Sequence, residues 1–363
     1  MAAANGPGDP TAALAERLFQ DAVGALELYT VYLGERLGLY RALAEGGPAT
    51  STELAERTGT VERYVREWLE HHATGGLLEV DDPRADPLER RYRLPPAHVP
   101  VLADPDDVRY QAYKGVEIVR GGRPLPDLVE AFRHGGAPPP LPWEPEGRAE
   151  YNRAVFLNQL GLQWLPAVPA VDRRLRADPP ARVADLACGT GWSSIAMAQA
   201  YPRITVDGFD LDGNVIAAAR RHAEEAGVGG RVRFTVADAA AADQGEGGGY
   251  DLVTVFEGLH DMSRPVEALA AARRRLRQGG SVLVADEPVA EEFAAPGSDR
   301  DRYDYGWSVV SCLPDAMGDP RTAATGAVMR PATLRRYARA AGFATVETPP
   351  VPTDLWRFYL LLP

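Results

Sequence analysis

The chain has 363 residues, 45% hydrophobic and 25% charged, which is enough apolar material for two domains or for one large α/β domain with an appendage. A formal net charge of −12 argues against a protein that lives on DNA, because neutralising phosphates calls for a basic face. The two cysteines, Cys188 and Cys312, make neither a disulfide framework nor a metal-ligand spacing, and no stretch approaches the roughly 18 apolar residues of a membrane span, so a reducing, cytoplasmic setting with no membrane partner is expected.

Residues 1–10 are small and polar, lack the features of a secretion signal, and read as a disordered tail. Residues 11–105 read as a winged helix. An apolar run with helical spacing covers 14–43. Thr50 or Ser51 can cap a short helix that Gly59 ends, and a second helix over 61–74 stops at Gly75 and Gly76. Two strands, 77–80 and 92–94, follow around a polar turn. A recognition helix presents Arg, Lys, Asn or Gln to base edges. Here the second helix mixes Arg63 and Arg66 with Glu62, Glu67 and Glu70, and residues 1–105 hold 10 Arg against 17 Asp plus Glu. A DNA reader and a dimerisation module both remain open; the acids favour the module, with a homodimer and no nucleic acid expected.

Residues 106–178 read as a helical linker that lines the active site, broken by the proline loop 138–142. Its helix over about 147–165 carries Tyr151, Phe156 and Trp164, which either line a pocket or pack as plain core. Residues 179–363 alternate strands and helices. Candidate strands are 182–187, 204–210, 232–236, 252–256, 281–286, 344–347 and 356–361, and 245–249 is a glycine loop. The fold class is α/β, a doubly wound Rossmann-like sheet with a mainly helical N-terminal domain.

Chemistry concentrates at the strand ends. The first strand runs from Asp185 into Cys188-Gly189-Thr190-Gly191, where a helix opens. A glycine turn there lets backbone approach a ligand closely. It is neither G-x-G-x-x-G nor a P-loop with its lysine, so a diphosphate is less favoured. Asp210 ends the second strand and can accept from both ribose hydroxyls. Asp238, beside Ala239 after the third strand, can accept from an adenine amino group. Any one of these acids can equally be a solvated turn; three at successive strand ends with the glycine turn point to a nucleoside site.

These residues resemble class I S-adenosylmethionine (SAM)-dependent methyltransferases. The winged helix, the linker and the segment Glu257-Gly258-Leu259-His260-Asp261-Met262 narrow the resemblance to small-molecule enzymes of the plant and bacterial O-methyltransferase type. It covers nearly the whole chain after about residue 15. It implies SAM as cofactor, S-adenosylhomocysteine as product, and a small acceptor, aromatic or phenolic, in natural-product biosynthesis. It implies cofactor contacts from Asp185, Gly189, Gly191, Asp210, Leu211, Asp238, Ala239, Phe256, Tyr151 and Gln159. It makes His260 the general base, with Asp286 behind it and Glu257 or Asp261 as alternative holders of the ring. The chain departs from the plant pattern at Met262, where Trp is usual, and at Phe256, where Lys often flanks the adenine. Phe156, Tyr303, Trp307 and Cys312 are candidates for the acceptor wall, and a buried structural cluster is the plainer alternative for them. O- and C-methylation would use the same base. A non-methylating enzyme of SAM fold and a winged-helix regulator stand as the rival readings.

Overall fold

The computed structural model describes residues 9–141, 148–241 and 249–363. Residues 1–8 of the tail read over 1–10, the end of the proline run at Pro142, the helix start at Gly147 and most of the glycine loop 245–249 lie outside the described residues, whereas Asp9 and Pro10 are ordered as the cap and first residue of a helix. The chain divides into two compact units, Met1–Arg120 with Glu146–Tyr151, and Gly121–Pro145 with Asn152–Pro363. The segment read as a linker over 106–178 contributes to both.

In the first unit the apolar run becomes two helices, α1 (Pro10–Arg36) and α2 (Leu39–Gly46), because Gly38 takes a left-handed φ of 67° between them. Thr50, and not Ser51, caps α3 (Ser51–Thr58): its hydroxyl accepts from Glu53 N–H while the Glu53 carboxylate accepts from Thr50 N–H. Gly59, at φ 65°, ends that helix, and α4 (Glu62–Thr74) follows. Strands β1 (Glu79–Val80) and β2 (Tyr92–Arg93) pair antiparallel and complete the wing. On α4, Arg63 pairs with Glu67 and Arg66 with Glu62, so its cations face its own acids. The buried face of α4 packs Trp68 edge-on to Tyr40 at 5.1 Å and against His72 at 4.4 Å. By contrast α1 leaves Leu14, Leu18, Phe19, Val23, Leu26 and Leu33 exposed and buries only Val31 and Gly34.

The second unit is built on a seven-stranded sheet of β3 (Arg182–Leu186), β4 (Thr205–Asp210), β5 (Val232–Val236), β6 (Tyr250–Phe256), β7 (Leu276–Asp286), β8 (Thr345–Glu347) and β9 (Arg357–Leu362), in the order β5-β4-β3-β6-β7-β9-β8. The strands from β5 to β7 run parallel, and β9 is antiparallel to both its neighbours. The order reverses at β3, so the carboxyl ends of β3, β4 and β6 border one crevice, where ligands bind in open α/β sheets. Strand β7 starts earlier than its sequence suggests: Leu276 pairs with Tyr250, and the register slips before Leu252 meets Ser281, around Gly279 at φ 80°. At the opposite end of the sheet, buried Asp251 accepts from Arg174, Arg277 and the Arg182 N–H, which locks the start of β6 to β3 and β7.

The linker helix is α-helical over Arg148–Val155 and then widens to a π-helix over Phe156–Trp164, where Leu165 N–H donates five residues back to Leu160 at 2.9 Å. Gly161 allows that turn to lie on helix Trp192–Ala200, since a Cβ there would sit 2.1 Å from Ala200 Cβ. Phe156 and Trp164 pack on Trp356, the former at 5.3 Å, as part of an aromatic cluster with Phe256 and Phe358. Among the described residues no helix is long and apolar enough to cross a membrane.

His72 gives the first unit an acid sensitivity. Its ring is fully buried, and burial first, then neighbouring His71, lowers its pKa to about 4. The folded ring stays neutral while the unfolded ring, near ~6.5, takes up a proton. This contribution is therefore intact above ~6.5 and lost as pH falls toward 4, amounting to roughly 3 kcal/mol for a full shift of this size. The urea midpoint of the full chain should fall steeply over that window, and His72→Gln should flatten the dependence. A midpoint equally acid-sensitive in His72→Gln would assign the effect elsewhere.

Candidate active site

The site starts from a carboxylate that no solvent reaches. Asp185, 1% exposed, accepts from Ser193 Oγ at 2.6 Å, Ser194 Oγ at 2.7 Å and Thr254 Oγ1 at 2.7 Å. Burial raises its pKa, and the three hydroxyls work against that rise. The donors come from helix Trp192–Ala200 and from β6, so one carboxylate ties both to β3. Between these anchors the turn holds three left-handed residues, Ala187 (φ 54°), Gly189 (53°) and Gly191 (87°). Gly191 is required twice over, since a Cβ there would lie 2.6 Å from the Phe234 ring. Cys188 is buried under the turn, against Gly208.

Beside the turn opens a cavity of about 500 Å³, a size suited to a small organic ligand. Ala187, Asp210, Leu211, Asp238, Ala239 and Glu257 line it, and Gly258, Asp261, Met262 and Arg264 continue the wall. Asp210 accepts from Gly189 N–H at 3.0 Å and Asp212 N–H at 3.1 Å. Burial raises its pKa, with these backbone donors opposing. Asp238 accepts from Ala240 N–H at 2.8 Å and from Arg264, which also lies 3.5 Å from Asp319. Glu257 holds a left-handed φ of 53° and accepts from Asn152 Nδ2 at 2.8 Å.

His260 lies next along the chain, 2% exposed. Its Nδ1 is 2.6 Å from Asp286 Oδ1 at the end of β7, and its Nε2 is 3.2 Å from Asp261 Oδ1. Burial pushes the ring toward its neutral form, but the charges of Asp286 and Asp261 outweigh burial and hold its pKa well above the ordinary imidazole value. Half-buried Cys312 completes the group; burial raises its thiol to about 11, with His260 opposing.

The structure thus gathers Asp210, Leu211, Asp238, Ala239, Glu257 and Asp261 around one cavity, with His260 and Cys312 beside Asp261 and Asp286 on the other nitrogen of the His260 ring. It sets others apart. Asp185 is enclosed by hydroxyls, and Phe256 and Phe156 face each other at 5.9 Å in the aromatic cluster. Gln159 is half-buried on the π-helix and does not line the cavity. Trp307 packs on Gly121 and edge-on to Tyr303 at 6.2 Å. Tyr151 belongs to the first unit, stacked on Tyr113 at 4.4 Å. Sequence reasoning missed Arg264, Asp315 and Asp319 on the cavity wall and the donors Asn152, Ser193, Ser194 and Thr254. Thr254 did carry a signal, as a hydroxyl in the middle of an otherwise apolar, fully buried strand segment.

A sheet of this order, with a glycine turn and acids at successive strand ends, defines a nucleoside-binding α/β methyltransferase. Residues 183–280 match the methyltransferase domain family, and residues 24–104 match the Rv2258c-like winged HTH domain. The ubiquinone biosynthesis O-methyltransferase of Burkholderia thailandensis is 30% identical over 206 residues, which are 56% of this chain and 78% of that protein. Among solved structures, human N-acetylserotonin methyltransferase in complex with SAM superposes with a TM-score of 0.70 at 19% identity, covering 99% of each chain. The mitomycin 7-O-methyltransferase MmcR superposes with 0.69 at 21% identity, covering 97% of this chain and 98% of its own. The chain belongs to the SAM-dependent small-molecule O-methyltransferase family. The cavity fits that cofactor by its chemistry: SAM offers ribose hydroxyls, an adenine amine and an ammonium, all donors, and the wall offers the acceptors Asp210, Asp238 and Glu257 beside apolar Phe209, Leu211 and Met262.

The hydroxyl cage makes a prediction that needs no ligand. Thr254→Val removes one donor from a buried carboxylate and should cost about 1–3 kcal/mol in chemical denaturation. Thr254→Ser, which keeps the hydroxyl, should lose less. A Thr254→Val chain as stable as the parent would show that the cage does not support the turn.

Proposed function

We propose that the protein transfers a methyl group from SAM to a small aromatic or phenolic acceptor, with His260 as general base. The observation that carries this reading is the buried pair of His260 Nδ1 and Asp286 at 2.6 Å, with Nε2 on the side of the cavity-lining Asp261. When bound, SAM supplies an electrophilic methyl whose thioether leaving group needs no acid. Asp210 holds the ribose hydroxyls and Asp238 the adenine amine, while the glycine turn lets the backbone come close. Holding the partners in line can contribute up to about 7–11 kcal/mol. His260 Nε2 takes the acceptor's proton as it attacks, an effect worth about 10² to 10⁴ in rate. Asp286 fixes the ring's orientation and stabilises the imidazolium that forms, as a carboxylate does in a triad. Glu257, held by Asn152, and Asp261 supply the remaining negative charge around the ring and the cavity.

The same base serves an oxygen or an adjacent ring carbon, so product mass and regiochemistry decide between O- and C-methylation. The likeness to a mitomycin methyltransferase supports a natural-product role. The exposed apolar stripe on α1 supports a homodimer formed through the first unit.

Two substitutions should separate binding from chemistry. Asp210→Ala should weaken SAM binding by about tenfold or more, since each charge-assisted bond is worth about 1.5–3 kcal/mol. His260→Ala should lower kcat by about 10² or more with SAM affinity nearly unchanged. Because the ring's pKa lies well above its usual value, the neutral, working form gains ground as pH rises, and kcat/KM should climb through neutrality into the alkaline range. Full turnover in His260→Ala would end the base assignment. For the assembly, Leu18→Glu with Leu26→Glu should turn a dimer into a monomer by light scattering; an unchanged mass would clear α1 of that role.

A further inference from the structure

We infer that His260, Asp261 and Cys312 form a site for a zinc-class divalent cation, with three protein ligands and a fourth position open to the cavity. One donor atom from each residue lies within 4.8 Å of the other two, and the imidazole–carboxylate separation is 3.2 Å. Tetrahedral zinc, with bonds of about 2.0–2.2 Å to nitrogen or oxygen and about 2.3 Å to sulfur, spaces its ligand atoms roughly 3.3–3.8 Å apart. The three donors therefore close on an ion with side-chain adjustment alone. The set of one imidazole, one carboxylate and one thiol suits zinc or cobalt and not the oxygen-seeking magnesium or calcium.

The surroundings are those of a ligand histidine. A metal-bound imidazole usually gives its other N–H to a carboxylate, which fixes the ring and raises its basicity. Asp286 already holds Nδ1 at 2.6 Å, so Nε2 is the nitrogen presented to Asp261 and Cys312. Asp261 also lines the cavity, which leaves a face of the ion for water or an acceptor oxygen. The linear spacing hides this set, because Cys312 ends the short π-helix Ser308–Cys312, far along the chain from His260. On binding, the ion replaces the thiol proton of Cys312 and the Nε2 proton of the charged His260 ring, and both protons pass to the buffer. Ligation also takes the Nε2 lone pair. The cation is therefore an inhibitor; this consequence rests on the reading of His260 as base, whereas the site itself does not.

The test is a cobalt(II) titration of the full chain after chelator treatment. The site should give a near-ultraviolet thiolate-to-cobalt band and the intense visible bands of a tetrahedral ion, saturating at one ion per chain and reversed by zinc. Cys312→Ser should abolish the near-ultraviolet band, and Asp286→Asn should weaken binding by about 10- to 100-fold. SAM calorimetry on the same samples shows that each variant is folded. Cys188→Ala, which removes the other thiol, should leave the band in place. A band that survives Cys312→Ser, or only the faint spectrum of hydrated cobalt at saturation, overturns the site. Zinc should suppress turnover in step with occupancy; full occupancy with undiminished turnover would uphold the site and count against His260 as the base.

Discussion

The buried carboxylate of Asp185 is the fixed point of the second unit. A charge taken out of water is costly unless hydrogen bonds replace its hydration. Here three hydroxyls do so, two from the helix that follows the glycine turn and one from the neighbouring strand. The chain from Cys188 to Gly191 is therefore held at both ends. It cannot relax without leaving a buried carboxylate short of donors. Every cavity feature near β3 is measured from that turn.

The turn uses this rigidity to keep backbone that L-residues avoid. Ala187 and Glu257 both sit in the left-handed region, at the ends of adjacent parallel strands. Each such residue costs roughly 1–2 kcal/mol, and it persists only where its surroundings over-determine it. They do so here. Cys188 N–H donates to Phe209, Glu257 N–H donates to Ala285, and Gly258 admits Ala187, since a Cβ on Gly258 would lie 2.9 Å from Ala187 Cβ. The reward is positional. Asp210 is fixed from within the protein by Gly189 and Asp212, so a carboxylate on the cavity wall has its place set before any ligand arrives.

What the sequence could disclose follows from how local each feature is. Strands, caps and the glycine turn are written in contiguous residues and were legible; a cap at Thr50 or Ser51 and a stop at Gly59 are examples, while the choice of Thr50 and its reciprocal bond with Glu53 came from the structure. The acids at strand ends were visible because parallel strands must deliver their last residues to one edge. The role of each acid was not visible. Asp185 and Asp210 look alike in one dimension, yet one is enclosed by hydroxyls and the other lines the cavity. Partners from distant segments were also hidden: Arg264 on Asp238, Asn152 on Glu257, Cys312 beside His260. The π-helical turn escaped because periodicity does not distinguish a wide turn from an α-turn over so few residues, and the need for Gly161 shows only once Ala200 lies against it. Phe156 and Phe256 were ambiguous for a plainer reason, since an aromatic residue serves a core and a pocket equally well.

Two buried carboxylates stand at the ends of β3 and β7, with β6 between them, and the donors they received set them apart. Asp185 is satisfied by neutral hydroxyls. No donor in that cage titrates near neutrality, so the group can hold structure but cannot carry a proton elsewhere. Asp286 Oδ1 accepts from the Glu287 N–H and faces an imidazole, whose proton can leave by its other nitrogen. The fold thus places one kind of buried charge twice, once among hydroxyls and once against an imidazole. The choice lies in whether the partner is Ser and Thr, or His. The hydroxyl-bound acid fixes the glycine turn beside the cavity, and the imidazole-bound acid orients a ring next to the cavity-lining Asp261.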